Sequence, residues 1–196
     1  MKAEDVVQQF KDKGALLEGH FQLSSGLHST VYLQCALVLQ FPEIAERFGK
    51  AIAQSFAGQN IQLVASPAIG GIIIGHEVAR ALGARFVWTE RENGVMTLRR
   101  GFSVSPDERV LVVEDVITTG GSTRETIDAL KAAGAKVVGA ASIIDRSSGD
   151  ADVGVPRITL ASLRVASVDP DNCNACREGA PVTKPGSKKQ SVVSGN

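Results

Sequence analysis

Short apolar runs alternate along the chain with stretches in which apolar side chains recur every three or four residues. Residues 61–65, 85–89, 110–113 and 137–144 are rich in Val, Ile, Leu and Ala and read as strands buried on both faces of a sheet. Residues 71–82 and 123–133 have helical spacing. Upstream, residues 3–13 suit a first helix that stops at Gly14, and Pro42 opens a second running to about Phe56, with Ile44, Ala45, Phe48 and Ile52 on one face. Residues 19–23 and 30–35 read as short strands around a Ser24-Ser25-Gly26 turn. The alternation predicts an α/β fold with a mostly parallel central sheet flanked by helices. Residues 90–106 break the rhythm and read as a hairpin or mobile loop. One domain is expected over residues 1–168, with a small N-terminal part over about 1–40 and a core over about 41–168. Residues 169–196 form a polar C-terminal tail, expected to be poorly ordered over about its last dozen residues.

Composition narrows the function classes. Lys plus Arg and Asp plus Glu both number 21, so no net field draws the chain to nucleic acid or an anionic membrane, and any anion site must be local. The start lacks the apolar core of a signal segment and no apolar run is long enough to span a bilayer, which points to a soluble cytoplasmic protein. Three cysteines argue against a disulfide framework. Cys173 and Cys176 have the spacing of half a zinc site; no second such pair exists, although Cys35 and a histidine could complete one. Taken singly, His20, His28 and His76 read as polar or packing residues rather than ligands.

Residues 110–123, VLVVEDVITTGGST, carry the most chemistry. An apolar strand delivers Glu114 and Asp115 to its carboxyl end, where ligands bind in open α/β sheets. Residues 118–122 then offer hydroxyls and unhindered N–H groups just before a helix, which makes an anion nest. Ser122 and Glu125 have capping-box spacing, which predicts the helix start there. The segment suits a phosphate held by the loop and a hydroxylated sugar held by the carboxylates. It is not a Walker loop, because no lysine follows Gly121, and no GxGxxG follows a predicted strand. A second turn, residues 66–71, joins a strand to a helix at the same sheet edge and could bring backbone to a second anion.

Residues 110–123 resemble the phosphoribosyl diphosphate (PRPP) signature of the type I phosphoribosyltransferases at every position of its pattern. The resemblance implies PRPP contacts from Glu114, Asp115, Val116, Ile117, Thr118, Thr119, Gly120, Gly121 and Ser122. It also implies pyrophosphate contacts from Ala68, Ile69, Gly70 and Gly71, where Gly70 replaces a lysine of some relatives. The Arg91, Arg99 and Arg100 segment corresponds to a flexible catalytic loop that closes over the site, often that of a neighbouring subunit. Relatives commonly carry lysines and a histidine there; here arginines stand and no histidine follows His76. Residues 18–29 resemble the base-covering hood of orotate phosphoribosyltransferases, with Phe21, Leu23, Ser25, Gly26 and Ser29 in the FxLxSGxxS pattern and Ser24 in place of a basic residue. The resemblance implies orotate contacts from Ser24, Ser25, Gly26, Thr118 and Arg146, with Tyr32 placed to stack on the base. The implied activity joins orotate to PRPP, giving orotidine 5′-monophosphate and pyrophosphate in de novo UMP synthesis. Mg²⁺ would be carried chiefly by the substrate with Asp115 as a candidate ligand, in a homodimer sharing its loop. A purine or xanthine phosphoribosyltransferase and a non-catalytic PRPP-sensing regulator are the alternatives.

Overall fold

A computed structural model of the chain describes residues 1–23 and 26–184. It contains two compact units, one made of Met1–Ala15 and Gln34–Arg164, the other of Leu16–Leu33 and the residues from Val165 onward. This division differs from the expected one, and packing explains why. Val6 and Phe10 of helix α1 (Ala3–Asp12) are buried, and Phe10 stacks on Phe48 at 6.3 Å, so the first helix belongs with the core.

The smaller unit is a three-stranded sheet of β1 (Leu16–Gln22), β2 (His28–Leu33) and β9 (Ser167–Val168), in that order. A short 3₁₀ turn (Pro170–Asn172) and helix α6 (Asn174–Arg177) follow β9. The segment expected to be a tail, residues 169–196, therefore supplies the 3₁₀ turn and helix α6. Its last residues, 185–196, lie outside the described residues.

The larger unit is built on a six-stranded sheet, with β3 (Leu63–Pro67), β4 (Arg85–Glu92), β5 (Val95–Leu98), β6 (Arg109–Ile117), β7 (Lys136–Asp145) and β8 (Arg157–Ser162) ordered β5-β4-β3-β6-β7-β8. All neighbours pair in parallel except β4 and β5. The helices of this unit are α1, α2 (Ala36–Leu39), α3 (Pro42–Ser55), α4 (Gly71–Leu82) and α5 (Gly121–Ala132). Helix α5 packs Ile127 and Leu130, both fully buried, onto Leu63, Ala65, Val110, Val112 and Ala140 of the central strands. Truncating either side chain to alanine should cost about 2–5 kcal/mol. Because β3, β4, β6 and β7 run in parallel, their carboxyl ends share one edge of the sheet.

Two boundaries matter for chemistry. β6 does not end at Val113: it continues through Ile117, with Val116 opposite Ile144 and Ile117 opposite Asp145. Glu114 and Asp115 thus lie within the strand's last turns of the ladder, held by backbone pairing on the β7 side. Of the hairpin or mobile loop expected over residues 90–106, the first part is a hairpin in which β4 and β5 pair antiparallel across Asn93 and Gly94. These two have φ of 51° and 84°, the positive pair that a two-residue hairpin turn demands.

Candidate active site

The loop after β6 makes a small hollow of about 80 Å³, lined by Glu114, Val116 and Ile117 and by residues 118–123. The capping box expected of Ser122 and Glu125 is absent. Helix α5 starts two residues earlier, at Gly121, and its N-cap is Gly120, with φ of 79° and no side-chain cap. A left-handed glycine there turns the chain sharply without placing a side chain over the helix end. Of the first-turn donors, the Gly121 N–H has only a long contact with Thr119 Oγ1, at 3.4 Å. The positive end of a twelve-residue helix therefore faces the hollow, which is the geometry that binds phosphate. Glu125 is engaged instead by Arg91, at 2.6 Å.

The acidic pair lies against this loop. Glu114 is buried, and burial together with the adjacent Asp115 charge pushes its carboxyl well above the usual range. Asp115 is partly exposed; its Oδ1 accepts from the Val116 N–H at 2.8 Å, and Glu114 Oε1 accepts from the Asp115 N–H at 3.1 Å. Among the described residues neither carboxyl forms an ion pair with a cationic side chain. The nearby thiol of Cys35, buried within the same unit, is likewise pushed up by burial and by Asp115. The acids are thus left to serve hydroxyls or a cation that arrives with a ligand.

The turn of residues 68–71 converges on the same point. A Cβ on Gly70 would stand 2.8 Å from Asp115 Oδ1 and 2.9 Å from Oδ2, so only glycine allows the backbone this close to the carboxylate. Ile69 is 85% exposed, and the Ala68–Ile69 peptide is cis. The turn is anchored from behind by Ala68 N–H donating to Thr89 O at 2.8 Å.

Arg146 enters beside the loop because its N–H donates to Ile117 O at 2.8 Å, directly after β7 ends at Asp145. Asp145 is held by neighbours that the sequence reading missed. Its Oδ1 accepts from the Ser147 N–H at 2.7 Å, and its Oδ2 from the Gly149 N–H at 3.1 Å and from Arg157 Nη1 at 3.0 Å. Arg157 also donates to Ala151 O at 2.9 Å, which closes the loop that carries Arg146. Burial alone would raise the Asp145 carboxyl, but the Ser147 and Arg157 hydrogen bonds outweigh it and hold it below the usual range.

The three hairpin arginines are exposed and ion-paired. Arg91 lies within β4 rather than in a loop; Arg99 and Arg100 follow β5 and contact Glu92 at 3.3 Å and Glu90 at 2.5 Å. Through Arg91 and Glu125 the hairpin base is tied to the first turns of α5, and a buried Thr89–Thr126 hydroxyl contact of 2.8 Å supports that join. The hood residues belong to the smaller unit. Gly26 turns the chain there with φ of 86°, and the Tyr32 ring lies 5.7 Å from that of Phe21. Ser24 and Ser25 lie outside the described residues.

Residues 38–162 match the phosphoribosyl transferase domain family. The chain is 53% identical over 189 residues to the orotate phosphoribosyltransferase of Pelotomaculum thermopropionicum, covering 96% of this chain and 100% of that protein. It is 54% identical over 187 residues to the orotate phosphoribosyltransferase of Carboxydothermus hydrogenoformans, covering 94% and 98%. Among solved structures, the orotate phosphoribosyltransferase of Aeropyrum pernix superposes with a TM-score of 0.65 at 28% identity, covering 81% of this chain and 94% of that one. The chain belongs to the phosphoribosyl transferase family and, within it, to the orotate phosphoribosyltransferases.

Proposed function

We propose that the chain transfers the phosphoribosyl group of PRPP to orotate, giving orotidine 5′-monophosphate and pyrophosphate. The observation that carries this reading is the meeting of a phosphate-binding helix end, an acidic couple and a bare glycine turn at one sheet edge. The 5′-phosphate is bound by the N–H groups and hydroxyls of residues 118–122, where the helix dipole and orphan donors act together. Glu114 and Asp115 hold the ribose hydroxyls. Glu114, whose burial favours the protonated form, can donate as well as accept. The backbone of residues 68–71 takes the pyrophosphate.

In the reaction the bond from the sugar's anomeric carbon to pyrophosphate breaks, and the electron pair leaves with pyrophosphate. The ring nitrogen of orotate bonds to that carbon and gives up its proton. Charge stabilisation and positioning account for catalysis, since no covalent intermediate with the protein is required. The donor set fits Mg²⁺: a partly exposed carboxylate beside a site for phosphates is how this hard cation is usually held. When bound, Mg²⁺ would neutralise the departing pyrophosphate, with Asp115 as its protein contact.

Arg91, Arg99 and Arg100 supply further positive charge to the leaving group. Their present ion pairs are exposed and screened by water, so exchanging a carboxylate for pyrophosphate costs little. Arg146 recognises the orotate carboxylate. A homodimer sharing the hairpin across its interface and a cytoplasmic location complete the reading. No helix among the described residues is long and apolar enough to cross a membrane.

The test is PRPP-dependent turnover of orotate beside hypoxanthine and uracil, with and without Mg²⁺. Turnover of orotate alone is expected. Preference for hypoxanthine would assign a purine enzyme, and PRPP binding without turnover of any base would assign a sensor.

A further inference from the structure

The smaller unit holds a cluster that the reaction does not use. His20 Nε2, His28 Nδ1, Cys173 Sγ and Cys176 Sγ all lie within 4.8 Å of one another. His20 Nε2 is 2.8 Å from His28 Nδ1, 3.4 Å from Cys173 Sγ and 3.6 Å from Cys176 Sγ, and Cys176 Sγ is 3.2 Å from His28 Nδ1. We propose that these four side chains form a structural zinc site that fastens the C-terminal segment to the β1–β2 hairpin.

The distances fit a tetrahedron around one ion. Zinc bonds of about 2.0–2.1 Å to nitrogen and about 2.3 Å to sulfur give edges of about 3.3 Å between nitrogens and about 3.6 Å between nitrogen and sulfur. The 3.4 and 3.6 Å contacts of His20 with the two sulfurs fall near these edges, and the 2.8 and 3.2 Å contacts of His28 are shorter by about 0.4–0.5 Å, a difference small enough for side-chain rotation to take up. Two soft thiolates and two imidazoles select zinc among common divalent ions, and the four-protein-ligand set is that of a closed structural site.

Hydrogen bonding alone explains the cluster less well. His20 Nδ1 lies 3.0 Å from Ala180 O, and a carbonyl can only accept, so in the neutral ring the proton sits on Nδ1 and Nε2 presents a single lone pair. That lone pair faces His28 Nδ1 and both sulfurs at once. A metal ion satisfies all four donor atoms, and the Nδ1–H to carbonyl bond is the orienting contact that metal-bound histidines make.

Local structure prepares the ligands. Antiparallel pairing puts His28 opposite Gln22, the ladder is irregular between Glu18 and Phe21 where His20 lies, and the two imidazoles meet edge-on with ring centres 4.8 Å apart. Cys173 is the N-cap of α6 and Cys176 lies within it, so one helical turn brings both sulfurs together. Thr183 N–H donating to His20 O at 2.8 Å and Gln22 N–H donating to Thr183 O at 2.9 Å align the segment along β1. The unit also needs a fastening: among its described residues only Phe21, Leu33 and Cys173 are buried hydrophobics. Small units with so little apolar interior commonly depend on a metal or a disulfide.

The test is elemental analysis of the full chain purified without chelator, beside Cys173→Ser/Cys176→Ser and Cys35→Ser variants. The native chain and Cys35→Ser should each carry about one zinc per chain, and the double variant at least about tenfold less. Cobalt added to the reduced, metal-stripped native chain should give the visible bands of a tetrahedral thiolate site, a readout that stands even if the double variant fails to fold. Zinc retained by the double variant would overturn the proposal. So would a native chain without zinc and without the cobalt bands, including one in which Cys173 and Cys176 have oxidised to a disulfide under reducing purification.

Discussion

Replacing Arg157 with alanine tests how the loop bearing Arg146 is held. The Arg157 and Asp145 side chains are 13% and 3% exposed, so their 3.0 Å ion pair is shielded from water. Removing one partner of a buried pair costs about 3–5 kcal/mol, because the remaining charge is left without compensation. The Ser147 and Gly149 donors stay on Asp145 and place the loss at the lower end, about 3 kcal/mol. For a chain of this size each kcal/mol moves Tm by about 2–4 °C, so the expected drop is about 6–12 °C. The loss should also depend on pH. The folded-state Asp145 carboxyl is held below its ordinary value, so its stabilising contribution is present above about pH 4 and lost as pH falls through the folded-state value. The gap between native and variant should therefore be full at neutral pH and shrink on acidification. Thermal unfolding followed by circular dichroism across a pH series measures this, with the exposed Arg164→Ala as control. A drop no larger than the control's, or a gap that does not change with pH, would refute the reasoning.

Glu114→Gln should raise Tm relative to the native chain as pH rises above the ordinary Glu range near about 4.3, because the raised folded-state pKa makes native stability fall there while glutamine does not titrate; parallel Tm curves would contradict this. Arg146→Ala should raise the apparent orotate constant by about 10–150-fold, the equivalent of losing a charge-assisted hydrogen bond of about 1.5–3 kcal/mol, with a much smaller effect on PRPP. Equal effects on both substrates would count against its assigned role. If the hairpin serves a neighbouring subunit, mixing Arg91→Ala with Asp115→Asn chains should restore part of the activity that each lacks, and verified mixed dimers without recovery would assign the hairpin to its own subunit.

The strand, loop and helix around Asp115 were legible because all their determinants are contiguous: an apolar run, two acids and a glycine-rich turn within residues 110–123. The helix start was misplaced because Ser122 and Glu125 satisfy the spacing of a capping box, whereas tertiary structure gives Glu125 to Arg91 and the cap to Gly120. The hairpin, one of the two readings of residues 90–106, carries its own signal in Asn93-Gly94, the pair that suits a two-residue turn. Arg157 and the four-residue cluster could not be read locally. Asp145 meets Arg157 across two strands, and His20 meets Cys173 across most of the chain, so only the folded topology brings them together. Read one at a time, the two histidines had no partner to suggest a metal, and the cysteine pair had no visible second half.

The central claim is that the acidic couple beside the helix end does the work of phosphoribosyl transfer. Asp115→Asn removes the charge at nearly constant volume, so the fold should survive while the contact to ribose and cation is lost. Steady-state kinetics of PRPP-dependent orotidine 5′-monophosphate formation, on a variant verified as folded by circular dichroism, should show kcat reduced by about 100-fold or more. Native-like kcat and KM in the folded variant would contradict the account.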